Sequence, residues 1–268
     1  MSEAGGLESG GIRADELRVE GEIAVQRFVL NDLLTNGFVV REEDTGALAV
    51  VDPGDRAGDL IAAARDWGGD VRWILITHLH GDHCAAVAPI REAFGAPVAG
   101  PPGGMFRVER PVCGGETLDF GSKEIQVAAT PGHSPESVSF QICDHVFVGD
   151  FLFRLGSGRT DGARASTEAL FGAVRDVFGD LPGKTTLWCG HGPASTVREE
   201  KAGNPFWRIA LAGDPATPVD QVSYRGAHVP VLAWADDYDG GKKALLALAD
   251  GSKVIVPGSQ VGPPVVTG

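Results

Sequence analysis

Cysteine is scarce in this chain: Cys84, Cys113, Cys143 and Cys189 are the four among 268 residues. They are too few and too scattered for a disulfide framework, so a reducing, cytoplasmic setting is the expectation. Long apolar runs are missing as well. The strongest, Trp73-Ile74-Leu75-Ile76 and Ala244-Leu245-Leu246-Ala247-Leu248-Ala249, stop far short of the ~20 residues a membrane helix needs. The first residues show no basic patch followed by an apolar stretch, which argues against a secretion signal. Positive charge is in deficit, with 23 Lys and Arg against 36 Asp and Glu and a net charge of -13. Such a surface repels phosphate backbones and anionic lipid, so neither nucleic acid nor a membrane is expected as a partner.

What is present is the mix of a globular enzyme. With 43% hydrophobic and 22% charged residues the chain can bury a sizeable core, and its length suits one large domain or a domain with an appendage. The 38 Gly and 17 Pro imply many tight turns, which fits a loop-rich enzyme better than a helical bundle.

Residues 1–22 read as a disordered or loosely packed segment, Gly/Ser/Glu-rich up to Gly11. Residues 23–212 read as the main domain. Its early strands have Asn36-Gly37 and Thr45-Gly46 as turn signals, and one strand ends at Asp52-Pro53-Gly54. Leu60, Ile61, Ala64 and Trp67 recur at helical spacing before Gly68, as do Val87, Ile90 and Phe94 before Gly95. Between these helices lie a short buried strand and a His-rich loop. Gly121-Ser122 predicts a hairpin turn, and strands follow over 138–142 and 146–148. A third helix starts at Ser166 or Thr167 with Leu170, Phe171, Val174, Val177 and Phe178 as its apolar face. A strand over 185–189 then runs into Gly190-His191-Gly192-Pro193. Strands followed by helices, twice over, give sheets covered by helices. Residues 213–268 read as a linker and a small three-stranded meander over 229–234, 243–249 and 253–256, with turns at Asp239-Gly240 and Asp250-Gly251.

Chemistry concentrates where strands end. Three of only seven histidines stand in Thr77-His78-Leu79-His80-Gly81-Asp82-His83. His133, in Thr130-Pro131-Gly132-His133-Ser134, and His191 open short Gly/Pro loops, and Asp150 follows Val148-Gly149. Any one of these alone is best read as a surface or capping residue. As a set they are not, because so many imidazoles and carboxylates packed together without a cation would be poorly satisfied. Imidazole and carboxylate ligands suit zinc, iron or manganese, and seven of them fit two ions sharing a bridging group. His145, in a predicted turn, and His228 are expected at the surface. Cys84 and Cys189 flank the candidate ligands but behave as small hydrophobes. The tryptophans belong to the core, with Trp207 closing at most one side of a pocket.

The His-x-His-x-Asp-His block, His133, Asp150, His191 and the Asp52-Pro53-Gly54 turn, in this order, resemble the metallo-β-lactamase superfamily over about Val25 to Trp207. Thr130-Pro131-Gly132-His133-Ser134, Gly149-Asp150-Phe151-Leu152-Phe153 through Gly158-Arg159-Thr160-Asp161, and Gly190-His191-Gly192-Pro193 through Asn204-Pro205-Phe206 are similar to its glyoxalase II (hydroxyacylglutathione hydrolase) branch. The resemblance implies an α+β fold, an αββα sandwich over residues 23–212 with a small C-terminal β segment. It implies that His78, His80 and His133 hold one divalent ion, that Asp82, His83 and His191 hold a second, and that Asp150 bridges them. Zinc is the first expectation, with iron or manganese as alternatives. Asp52 steadies the ligand loop from outside, Asp82 also orients the nucleophile, and Arg159 either meets a substrate carboxylate or pairs with Asp161 or Glu168.

The implied activity is hydrolysis of a hydroxyacylglutathione-type thioester by metal-bound hydroxide. The implied partner is a small-molecule thioester or ester, and a homo-oligomer is allowed. Mononuclear-iron persulfide dioxygenation and lactone or ester hydrolysis are the alternatives on the same scaffold. A catalytically dead scaffold with a partner-binding C-terminal segment is the reading from another class. β-Lactamases often place a cysteine where this chain has Asp150. Glutathione-binding members carry a helical C-terminal domain where this chain has its β segment.

Overall fold

A computed structural model describes residues 15–17, 22–213 and 217–263. The expected disordered stretch through Gly11 and the heart of the linker, 214–216, lie outside the described residues.

The first sheet is built in sequence order from β1 (Asp15–Leu17), β2 (Ile23–Val29), β3 (Asn36–Glu42), β4 (Leu48–Val51), β5 (Val71–Leu75), β6 (Val98–Gly100) and β7 (Arg110–Pro111). From β4 onward its strands pair in parallel. Parallel pairing requires crossovers, and two of the connections carry α1 (Ala57–Asp66), a short turn α2 (Gly81–Cys84) and α3 (Val87–Phe94). Leu60, Ala63 and Ala64 on α1 and Val87 and Ile90 on α3 bury one face each against Val39, Leu48, Val50, Ile74 and Val98. Gly95, left-handed at φ 66°, ends α3 where the apolar spacing stops.

The second sheet takes β8 (Thr117–Phe120), β9 (Lys123–Ala129), β10 (Val138–Ile142) and β11 (His145–Gly149). After the two-residue pair β12 (Leu152–Phe153) and β13 (Gly156–Ser157) it is completed by β14 (Thr186–Cys189) and β15 (Ser195–Thr196), in the order β15-β14-β11-β10-β9-β8. Phe38, Val40, Ala49, Val51 and Leu75 of the first sheet meet Phe120, Ile125, Val127, Phe140, Phe147 and Trp188 of the second. The second sheet's outer face is covered by α4 (Thr167–Ala173), which runs into a π-helical turn over Val174–Phe178, and by α5 (Val197–Gly203) and α6 (Pro205–Ala212). Ser166 caps α4 by accepting the Ala169 amide at 3.2 Å, and Asn204 caps α6 by accepting the Phe206 and Trp207 amides. The architecture is the expected αββα sandwich.

Four strands follow the helices: β16 (Asp220–Tyr224), β17 (Ala227–Asp236), β18 (Lys242–Ala247) and β19 (Lys253–Pro257), paired antiparallel in order. This is one strand more than the meander expected from sequence; β16, Asp-Gln-Val-Ser-Tyr, carries two polar residues in its first half and sits next to the linker. One face of this sheet joins the core under α4 and α6 through Leu232, Ala233, Ala235, Leu245 and Ile255, and Val222, Val231, Leu246 and Val256 pack together on the other.

Two further readings are corrected. Asn36-Gly37 is not a turn but the start of β3; the chain reverses over Asn31–Leu34, with Leu34 left-handed at φ 60°. His145 is buried at the start of β11, where its Nδ1 accepts the Trp188 Nε1–H at 3.1 Å. Trp207 is a core residue, as expected, and meets Phe178 edge-on at 6.0 Å. His228 is exposed and Cys189 buried, as expected. Among the described residues no helix is long and apolar enough to cross a membrane.

Candidate metal centre

Neighbouring parallel strands end at the same edge of a sheet, and here that places the polar residues together. Asp52 follows β4 and Thr77-His78 follow β5, its parallel neighbour; Asp150 follows β11 and His191 follows β14, again parallel neighbours. His133 stands between β9 and β10, and β10 is tied to the His-rich loop by the Val138 amide donating to the Thr77 carbonyl at 2.9 Å. Asp82 and His83 sit in α2, wound directly after His80.

The side chains form two groups. His78, His80, His133 and Asp150 make one, and Asp82, His83 and His191 the other, with ligand-type atoms within 4.8 Å of one another in each. In the first, His80 Nδ1 lies 3.1 Å from His78 Nε2 and 3.0 Å from His133 Nε2. In the second, Asp82 Oδ2 lies 3.5 Å from both His83 Nε2 and His191 Nε2. Asp150 faces both: its Oδ2 is 3.5 Å from His133 Nε2, and its Oδ1 is 3.3 Å from His83 Nε2 and 3.4 Å from His191 Nε2.

The outer nitrogens fix which lone pairs point inward. His83 Nδ1 donates to Asp52 Oδ2 at 3.0 Å, His133 Nδ1 to the Arg159 carbonyl at 3.0 Å and His191 Nδ1 to the Leu33 carbonyl at 2.9 Å. The Thr77 hydroxyl donates to Asp52 Oδ2 at 2.7 Å and therefore accepts from His78 Nδ1 at 3.1 Å. Four Nε2 atoms are left as lone-pair donors aimed at the centre, the arrangement that outer partners impose on metal-binding histidines. Asp52 also accepts the Thr77 amide at 2.8 Å. Both its oxygens are thus engaged, so its grouping with His78 and His83 is that of a support rather than a ligand.

The donor set fits divalent ions. Bonds of ~2.0–2.1 Å to a tetrahedral ion set its ligand atoms about 3.4 Å apart, close to the separations seen. His83 Nε2 and Asp150 Oδ1 are buried without a hydrogen-bond partner, which is costly unless a cation lies between them. Electrostatics agree. Burial would raise the Asp150 carboxyl, but His83 and His191 outweigh it and hold it well below the carboxylate range. Burial would lower His83, but Asp150 and Asp52 hold it well above the imidazole range. Burial, reinforced by the charge of His83, keeps His78 well below it. The carboxylates around this pocket thus favour positive charge within it.

All seven candidate ligands and Asp52 are brought together. The Arg159 side chain is 44% exposed and pairs with Asp161 at 2.5 and 2.7 Å, leaving its carbonyl to serve His133. Other contributors escaped the sequence reading. Thr35 donates to Asp82 Oδ2 at 3.0 Å, and Asn36 Nδ2 donates to the Cys189 and Gly192 carbonyls at 2.8 and 2.7 Å, fixing the loop that carries His191. Gly54 allows the Asp52 turn to reach α2, since a Cβ there would lie 1.5 Å from the Asp82 carbonyl oxygen. The Tyr238 ring stacks on His191 at 4.5 Å. The Gly after Asn36 was a signal for a turn, and nothing near Thr35 or Tyr238 marks them.

Comparison with known proteins gives the same picture. A model of the metallo-beta-lactamase superfamily matches residues 30–112. A hydroxyacylglutathione hydrolase of Brucella canis is 31% identical over 179 residues, 65% of this chain and 67% of the relative. The crystal structure of TTHA1623 in a di-iron-bound form is similar at TM-score 0.59 and 34% identity, covering 67% of this chain and 98% of that one. ETHE1 from Myxococcus xanthus is similar at TM-score 0.64 and 26% identity, covering 71% and 91%. The chain belongs to the metallo-β-lactamase superfamily and is a metal-dependent hydrolase of that superfamily.

Proposed function

We propose that the chain is a dinuclear thioesterase acting on a hydroxyacylglutathione-type substrate, with His78, His80 and His133 holding one ion, Asp82, His83 and His191 the other, and Asp150 shared. The observation that carries the reading is the placement of Asp150, one oxygen toward each histidine group at 3.3–3.5 Å. Zinc fits the nitrogen-rich set, and the di-iron form of the TTHA1623 relative supports iron as the alternative. Held by these residues, two divalent ions would supply Lewis-acid polarisation of a carbonyl and a water acidified enough to serve as hydroxide at neutral pH.

The chain's residues do the rest. Asp82, whose Oδ2 accepts the Thr35 hydroxyl, would orient the attacking water and accept its proton. Asp52 and the Leu33 and Arg159 carbonyls keep His83, His191 and His133 in the tautomer that leaves Nε2 free. A thiolate leaving group, from a thiol of pKa near ~8.5, departs without a general acid. The resemblance to a hydroxyacylglutathione hydrolase supports this substrate class. Purified protein of measured metal content, assayed against S-lactoylglutathione, acyl-coenzyme A esters and lactones, tests the reading. Thioester turnover with about two ions per chain, both lost in Asp150→Ala, is expected; full turnover in that variant overturns it. Persulfide dioxygenation, the alternative that the sequence left open on the same scaffold, is the outcome that oxygen uptake with a persulfide and one iron per chain would establish in its place.

A further inference from the structure

Two routes run from the C-terminal sheet into the histidine groups. The first passes through the hairpin tip between β17 and β18. There the Tyr238 ring lies flat on the His191 imidazole, centroids 4.5 Å apart and planes 15° from parallel. Phe153 meets the same imidazole edge-on at 5.5 Å and Tyr238 at 5.0 Å, so His191 is flanked by two aromatic rings. The tip is itself anchored. Asp237 Oδ1 accepts the Tyr238 amide at 2.8 Å and the Lys243 ammonium at 2.6 Å, and that ammonium lies 4.3 Å from the Phe153 centroid. The Asp237 and Lys243 side chains are 7% and 5% exposed. A buried ion pair on a hairpin is weak evidence of stability; it is better explained by fixing one geometry, here that of Tyr238.

The second route passes through β19. The Ile255 carbonyl accepts the Thr160 amide at 2.8 Å and the Ile255 amide donates to Thr160 Oγ1 at 2.8 Å. The adjacent residue is Arg159, whose carbonyl orients His133. One histidine of each group is therefore steadied from the same four-stranded sheet.

We propose that the C-terminal sheet braces the metal centre, Tyr238 acting as a positioning residue for His191 and the Thr160–Ile255 pair as one for His133. This rests on the reading of His191 and His133 as ligands. An imidazole held by a single hydrogen bond can still swing about its broad χ2, and the stacked phenol removes that freedom. Loss of such an outer partner weakens a metal site by ~10–100-fold.

The test is a zinc titration of the full chain against a chromophoric chelator, with kcat and KM on whichever thioester the wild type turns over best. Tyr238→Leu is expected to bind one of its two ions ~10–100-fold more weakly and to lose kcat with little change in KM. Tyr238→Phe, which keeps the stack, retains both ions. Thr160→Val, close in shape, weakens the other ion instead. Tyr238→Thr repeats the first arm should the leucine variant precipitate. His191→Ala separates the two ideas. If it loses an ion while the Tyr238 variants load both at wild-type affinity, the brace is overturned and the ligand reading stands. If it too loads both at wild-type affinity, the ligand reading falls with the brace.

Discussion

Gly190 leaves no room for a side chain. It joins the end of β14 to His191, with its amide donating to the Gly149 carbonyl at 2.8 Å and its carbonyl accepting the Asn36 amide at 2.7 Å, so the backbone is held from both sides. A Cβ there would lie 2.3 Å from Asp150 Oδ1, 2.8 Å from His83 Cε1 and 2.9 Å from the Gly149 carbonyl carbon. Ordinary contact begins at 3.4 Å, so Gly190→Ala must push the Asp150 oxygen aside by 1.1 Å or move both strand tips. A metal site tolerates about 0.2 Å of error in its bonds. The shared carboxylate can then serve only one histidine group. The expected outcome is one ion per chain in place of two and a fall in kcat of ~100-fold, the usual effect of a misplacement near 1 Å. Overpacking of this kind costs about 1–3 kcal/mol, small enough for the variant to fold. Elemental analysis after dialysis, initial rates on the best thioester and a circular-dichroism melt give the three readouts. Two ions per chain with kcat within about threefold of wild type would refute the role of Asp150 as the shared ligand.

Other perturbations follow from the same contacts. Asp52→Ala leaves the Thr77 amide, the Thr77 hydroxyl and His83 Nδ1 without their acceptor, and should cost about 3–5 kcal/mol in urea unfolding; a loss under 1 kcal/mol would show that Asp52 does not hold the loop. Asn204→Ala removes the α6 cap and the bonds from Nδ2 to the Gly156 carbonyl and Glu200, at about 2–4 kcal/mol, checked by the same unfolding curve. Burial would raise the Glu42 carboxyl, but hydrogen bonds from Thr45, Asp44 and Ser122 bring it down to about 2. Since the folded value lies below the unfolded one, the stability it adds is complete above about pH 4.5 and fades as pH falls towards 2. Glu42→Gln should therefore lower the urea midpoint at pH 6 more than at pH 3; equal losses at both would sink the assignment. Dialysis against a chelator should abolish turnover and lower the melting temperature, and zinc should restore both.

The candidate ligands were legible because each belongs to a short motif at the end of a strand, and such motifs need no knowledge of the fold. His78 through His83 lie within six residues, and the parallel neighbours β4–β5 and β11–β14 then carry the local signals to one edge. Asp52 apart, what supports the candidate ligands was not legible. Asn36 reads as a turn because Gly37 follows it, yet its amide serves carbonyls more than 150 residues away. His145 reads as a surface residue because it falls in the turn predicted at Cys143-Asp144-His145, and only the partner strand β14 supplies the Trp188 indole that packs on it. Tyr238 sits in a turn correctly read from Asp239-Gly240, but its stacking on His191 depends on how a whole sheet docks.

The contacts of Asn36 have a mechanical consequence. Its amide hydrogen bonds to Gly190, its side chain reaches Cys189 and Gly192, and Thr35 bridges His191, so a strand of one sheet is stitched to the tip of a strand in the other. The sandwich is a clam sewn shut along that rim. These bonds restrain the two sheets from sliding or gaping there, while at the lip just before Thr35 the Leu33 and Leu34 side chains are exposed to solvent. Amide protons along the seam should be among the last to exchange, while those of the lip turn over early.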